Sequence, residues 1–103
     1  MFIDNDSSTK HVKNLINQGE HEQLEFKSSL RTNIHTKKPD KKIEHAALKT
    51  ITAFLNTDGG TLLIGVADDG NIIGIDHDGF KNNDKFYQHY TNIVQNHIGN
   101  EYL

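Results

Sequence analysis

Cysteine is absent from all 103 residues, which excludes disulfides, thiolate zinc sites and cysteine nucleophiles and fits a reducing compartment, so the expected location is the cytoplasm. Apolar side chains are scarce, at 34% of the chain, and a thin core is expected. No run approaches the roughly 18 apolar residues that would span a bilayer. The opening MFIDNDSSTK also lacks the charged-then-apolar order of a secretion signal, so no membrane association is expected. A single proline against eight glycines argues for ordered elements punctuated by a few turns rather than low-complexity disorder. The length suits one domain, 1–103, with room for one modest core.

The net charge of −3 speaks by itself against a polyanion partner, but the charge is unevenly placed. Residues 27–42 hold Lys27, Arg31, Lys37, Lys38, Lys41 and Lys42 against one acid, Asp40, a local charge of +5. Salt screens charges beyond about 10 Å, so such a segment can grip phosphates on an otherwise acidic molecule. It contains no Phe, Tyr or Trp to stack on bases, which points to backbone contacts without base readout. Lys41 and Lys42 also fall in the first turn of an expected helix, where the dipole disfavours cations by a few tenths of a kcal/mol unless an anion compensates, so roughly speaking a polyanion would be welcome there.

Periodicity supplies the elements. Ser7, Ser8 or Thr9 is a candidate cap for a first helix carrying Val12, Leu15 and Ile16, with Gly19 as its stop. In EQLEFKS, Leu24 and Phe26 alternate with polar residues as in a half-buried strand. Residues 28–39 show no period and read as a mobile polar loop. Asp40 can cap a helix over about 41–57, with Ile43, Ala46, Ala47, Thr50, Ile51, Phe54 and Leu55 on its apolar stripe. Asp58-Gly59-Gly60 ends it.

TLLIGVADDGNIIGID then reads as a hairpin with Asp69-Gly70 as a two-residue turn, pairing Val66 with Ile73 and Ile64 with Ile75. That register puts Leu62, Ile64, Val66, Ile73 and Ile75 on the core face and leaves Gly65 and Gly74 open to a helix or a ligand. A last helix over 83–98 places Phe86, Tyr90, Ile93, Val94 and His97 on one stripe before Gly99, and Tyr102-Leu103 reads as the start of a further strand. The class is α+β: a small sheet of an N-terminal strand and a β-hairpin packed with helices. Bare sheet edges lead to the expectation of a homo-oligomer or of a larger protein with a C-terminal domain beyond this chain.

Three sets of residues bear on chemistry. The glycines of 59–65 lack the Gly-Lys-Ser/Thr or G-x-G-x-x-G context of a nucleotide loop. The seven histidines include no pair at helical i, i+4 spacing, so zinc is not expected. Glu20, Glu25 and Asp68, by contrast, lie at strand ends, where three carboxylates can hold Mg²⁺ or Mn²⁺ and activate water on a phosphodiester. By strand parity, however, Asp68 leaves the pleat on the face opposite to position 67, where Ala67 stands.

LEFKSSL, then the basic segment, then KTITAFLNTDGGTLLIGVADDGNIIGID resembles the Schlafen-type AlbA_2 domain over residues 19–76. The joint order of GE-x4-EFK, AFLNTDGG and LLIGVADDG carries the likeness. The resemblance implies a sheet flanked by helices and a role near DNA or RNA, as the binding portion of a bacterial-type regulator or defence protein. It also implies a metal-dependent ribonuclease as the alternative, with Glu20 and Glu25 matching two of the acids proposed for cleavage in some Schlafen proteins. The third departs from the pattern, since GVADD puts Ala67 where the family commonly has an acid, leaving Asp68 as the substitute. No cofactor is expected except Mg²⁺ or Mn²⁺ under that alternative.

Overall fold

A computed structural model describes residues 5–98, with the side chains of 9–96. The order is α1 (Asn5–Gln18), β1 (Leu24–Lys27), β2 (Thr32–Asn33), β3 (Lys38–Pro39), α2 (Lys41–Leu55), β4 (Thr61–Ile64), a 3-10 turn (Asp76–Asp78) and α3 (Asn83–Ile98). The fold is a small α+β one.

Strands β1 and β4 pair in parallel, Leu24 opposite Thr61 through Lys27 opposite Ile64. Parallel neighbours need a long connection, and the β2–β3 hairpin and α2 form it. Alternation along the strands divides the core in two. Leu24, Phe26 and Val66 pack with Leu15 and Ile16 of α1 and with Leu63. Leu62 and Ile64 lie against the second cluster, where Leu30, Ala47 and Leu48 meet Ile93 and Val94. The sheet is thus covered by α1 on one face and by α2 and α3 on the other. His89 Nε2 on α3 and Glu44 Oε2 on α2 lie 2.8 Å apart and tie these two helices together.

Helix α2 starts as its sequence asks: the Asp40 side chain accepts from the Lys42 amide at 2.9 Å. Its core contacts come from Ala47, Leu48 and the partly buried Ile51, while Leu55, placed on the apolar stripe by periodicity, is 40% exposed. The 83–98 span of α3 agrees with its periodicity. Helix α1 begins at Asn5, so Ser7, Ser8 and Thr9 lie inside it rather than at its cap. Gly19 does close α1, its amide donating to the Ile16 carbonyl at 3.0 Å. His97's side chain, Gly99 and Tyr102-Leu103 lie outside the described residues.

Two expectations fail for tertiary reasons. The 28–39 stretch is not a structureless loop: Thr32 and Asn33 pair antiparallel with Pro39 and Lys38, and Ser29, Leu30 and Thr32 are buried. The second hairpin is also out of register with its sequence reading. Val66 lies opposite Ile72, not Ile73, around a three-residue turn that the Ala67 and Asn71 backbones close at 2.9 Å. Asp69 Oδ1 accepts from the Asn71 amide and holds that turn. Beyond it, the amides of both Ile73 and Gly74 donate to the one carbonyl of Gly65, two residues against one as in a bulge. The expected shared core face is broken as well: past the left-handed Gly65, Val66 joins Leu24 and Phe26 instead of Leu62 and Ile64, and Ile72 and Ile73 are 56% and 44% exposed. At Gly65 the close neighbour is the Gly74 backbone.

The outer edge of β1 is closed by its own chain. Leu24 and His21 exchange backbone hydrogen bonds at 3.0 Å, and the Phe26 amide donates to Glu20 Oε1 at 2.9 Å. A strand edge so occupied is a poor template for a partner strand.

Candidate nucleic-acid interface

The β2–β3 hairpin and the first turn of α2 form one structural unit, and Asp40 joins them. Its Oδ1 caps α2, its Oδ2 accepts from Asn33 Nδ2 at 3.3 Å, and its amide donates to the Arg31 carbonyl at 2.7 Å. The hydrogen bonds from the Lys42 amide and the Asn33 side chain hold the Asp40 carboxyl below the usual range. At the hairpin tip, Asn33 Oδ1 accepts from the amides of His35 and Thr36, and the Lys37 amide reaches the Asn33 carbonyl at 2.7 Å. This tight tip sets Lys37 at φ 61, the one positive φ outside glycine among the described residues.

The unit presents Lys37, Lys38, Lys41 and Lys42, all exposed, along a continuous run from hairpin to helix. Lys41 and Lys42 border a depression of about 400 Å³ that is also lined by Glu44, His45 and Leu48. None of the four lysines makes a salt bridge, the sole one among the described residues being that between His89 and Glu44. Asp40 and Glu44 supply negative charge at the start of α2, so the dipole cost of Lys41 and Lys42 is already offset without an external anion.

The other two sequence-chosen cations are placed differently. Arg31 lies over the Phe80 ring at 3.8 Å and donates from Nε to the Asp78 carbonyl at 3.0 Å, so its guanidinium braces the base of the hairpin. Lys27 sits on β1 within electrostatic reach of Glu25.

Glu20 meets Glu25, and Asp68 lies within electrostatic reach of it. Burial pushes the Glu25 carboxyl above its usual range; the charge of Glu20 adds to this, Lys27 opposes it, and a hydrogen bond shared with Glu20 and the charge of Asp68 add further. Asp68 sits in the turn rather than in the pleated strand, so strand parity does not fix its direction. The donors nonetheless do not fit a ready metal site. One Glu20 oxygen is taken by the Phe26 amide, and no group of three His, Asp or Glu side chains among the described residues could hold an ion.

A carboxyl that is raised on folding makes the folded state bind the extra proton, so stability declines as pH rises from the ordinary 4.5 through the raised value. Glu25→Gln is expected to be more stable than the parent at pH 7, by at most about 1 kcal/mol, with the gain gone at about pH 4. Urea melts at the two pH values check this. Equal stabilities at pH 7 would remove the like-charge cluster.

Sequence reading missed the buried anchor at Asp78. Burial would raise its carboxyl, but hydrogen bonds from the Ser29 hydroxyl, the amides of Leu30 and Arg31, and the Thr32 hydroxyl outweigh that and hold it below the usual range. Asp76-His77-Asp78-Gly79 carries a turn signal and nothing that names its distant partners.

With this geometry in view, the comparisons with known proteins decide the family. The model of the Schlafen, AlbA_2 family matches residues 20–102, most of the chain. The chain belongs to that family. No curated protein and no solved structure matches it. In this AlbA_2 domain the matched region begins at Glu20 and takes in the basic hairpin, the carboxylate cluster and Asp78. Family membership supports a nucleic-acid-related role. No helix among the described residues is long and apolar enough to cross a membrane.

Proposed function

We propose that this AlbA_2 domain binds DNA or RNA through phosphates, as the binding portion of a cytoplasmic regulator or defence protein, with Lys37, Lys38, Lys41 and Lys42 as the gripping ridge. The observation that carries the reading is that four exposed lysines share one braced unit and none is neutralised by a salt bridge. Lys27 and Arg31 belong to the same face of the proposal as flanking cations, Arg31 chiefly through its hold on the hairpin base. With no Phe, Tyr or Trp on the hairpin, affinity should follow charge and not sequence. A salt titration against labelled single- and double-stranded DNA and RNA tests it. The expected result is weak binding whose log K falls with log salt at a slope of about −3 to −4, roughly 0.9 per phosphate on duplex. No binding to any of the four at low salt would sink the proposal.

A second reading, a metal-dependent nuclease using Glu20, Glu25 and Asp68, is favoured by the meeting of Glu20 with Glu25. The lack of a fitting donor set ranks it below binding. No Mn²⁺-stimulated cleavage above a Glu25→Gln control is expected. Cleavage lost in both Glu20→Gln and Glu25→Gln, with binding retained, would reverse the order.

A further inference from the structure

Asp78 is 2% exposed and lies 48 residues beyond the turn it holds. Its Oδ1 accepts from the Ser29 hydroxyl and, at 3.1 Å, from the Arg31 amide; its Oδ2 accepts from the Leu30 amide at 2.9 Å. The Ser29 hydroxyl oxygen in turn accepts from the Thr32 amide at 2.9 Å. Next to Asp78, His77 Nε2 lies 2.9 Å from the Ser28 carbonyl and donates to it. A single 3-10 turn thus fastens residues 28–32, and Arg31's carbonyl carries the fastening on to Asp40 and the far side of the hairpin.

A buried carboxylate at the root of a cationic element has the wrong sign for polyanion binding, so charge alone would favour its removal. Its hydrogen bonds all go to the segment that leads into β2. We propose that Asp78 is the positioning residue of the phosphate-gripping hairpin: by fixing the 28–32 turn it sets the placement of Lys37, Lys38, Lys41 and Lys42 toward one nucleic-acid backbone. The inference rests on the nucleic-acid reading above.

Asp78→Asn keeps the shape and removes the charge, but it turns an amide nitrogen toward a backbone or hydroxyl donor. Asp76→Asn removes an exposed carboxylate from the same turn and serves as the charge-matched control. With folding checked by circular dichroism, Asp78→Asn should bind labelled duplex DNA or RNA about tenfold more weakly, with a salt slope shallower by about 1 to 2, because fewer lysines reach phosphates together. Asp76→Asn should bind as well as the parent or slightly better. Ser29→Ala, which leaves the charge in place and removes one donor, should weaken binding two- to fivefold, and it decides the matter if Asp78→Asn does not fold. A folded Asp78→Asn that binds as tightly as Asp76→Asn with an unchanged slope, or a Ser29→Ala with unchanged affinity when it is the deciding variant, overturns the positioning role while leaving the nucleic-acid reading intact. A parent chain that binds nothing overturns that reading and this inference with it.

Discussion

Replacing Lys37, Lys38, Lys41 and Lys42 together by glutamine is expected to lower affinity for DNA and RNA at about 50 mM salt by roughly a hundredfold or more. Each phosphate neutralised adds about 0.9 to the salt slope, so between about 1 M and 50 mM salt each contact is worth roughly tenfold, and not all four need touch phosphate at once. The fold should survive, since all four side chains are exposed and none is in a salt bridge. The measurement is fluorescence anisotropy against salt for parent and variant. An unchanged low-salt affinity would move the interface elsewhere, whereas a parallel loss of salt slope and affinity is the signature of phosphate contacts.

The largest effect on stability is expected at Gly65. Its φ is +88, and a Cβ placed there would lie 2.6 Å from the Gly74 carbonyl oxygen, a backbone atom that cannot swing away. The left-handed backbone costs a non-glycine residue about 1–2 kcal/mol, and overpacking adds about 1–3, so Gly65→Ala should lose roughly 2–5 kcal/mol. Gly19 separates the two terms: it is also left-handed, at φ +75, but a Cβ there meets nothing within 4 Å. Gly19→Ala should therefore lose only the backbone part, about 1–2 kcal/mol. Urea melts of the two variants test the difference. Equal losses would mean that the return of the hairpin over Gly65 is not as close as described. Because Gly65 also sets how the chain passes into the Asp68 turn, a shift there should disturb the carboxylate cluster around Glu25 as well.

The elements that could be read from the chain are those whose signal lies among near neighbours. The alternation of Leu24 and Phe26, the Asp40 cap and the 3.6-residue stripe of α3 depend on contacts a few residues apart, and each stands in the structure where its spacing puts it. The same holds for the basic character of 37–42, since charge and exposure follow from composition and a capped helix start. Glu20 and Glu25, by contrast, meet only because the chain turns back between His21 and Leu24, which brings Glu20 to the Phe26 amide.

Contacts across long stretches of chain were decided by the tertiary structure. The hairpin register turned on a three-residue turn in place of the two-residue one that Asp69-Gly70 suggests, and the left-handed Gly65 with its shared carbonyl then broke the alternation of the strand. Residues 28–32 carry too few apolar side chains to order themselves by burial, and their order comes instead from hydrogen bonds to Asp78, nearly half the chain away. By itself, then, the sequence determined the family, the main helices, the first strand and the cationic segment, all set by local periodicity and composition. Tertiary structure alone decided how that segment is held and which acids meet, because a buried carboxylate must find its donors wherever the packed chain brings them.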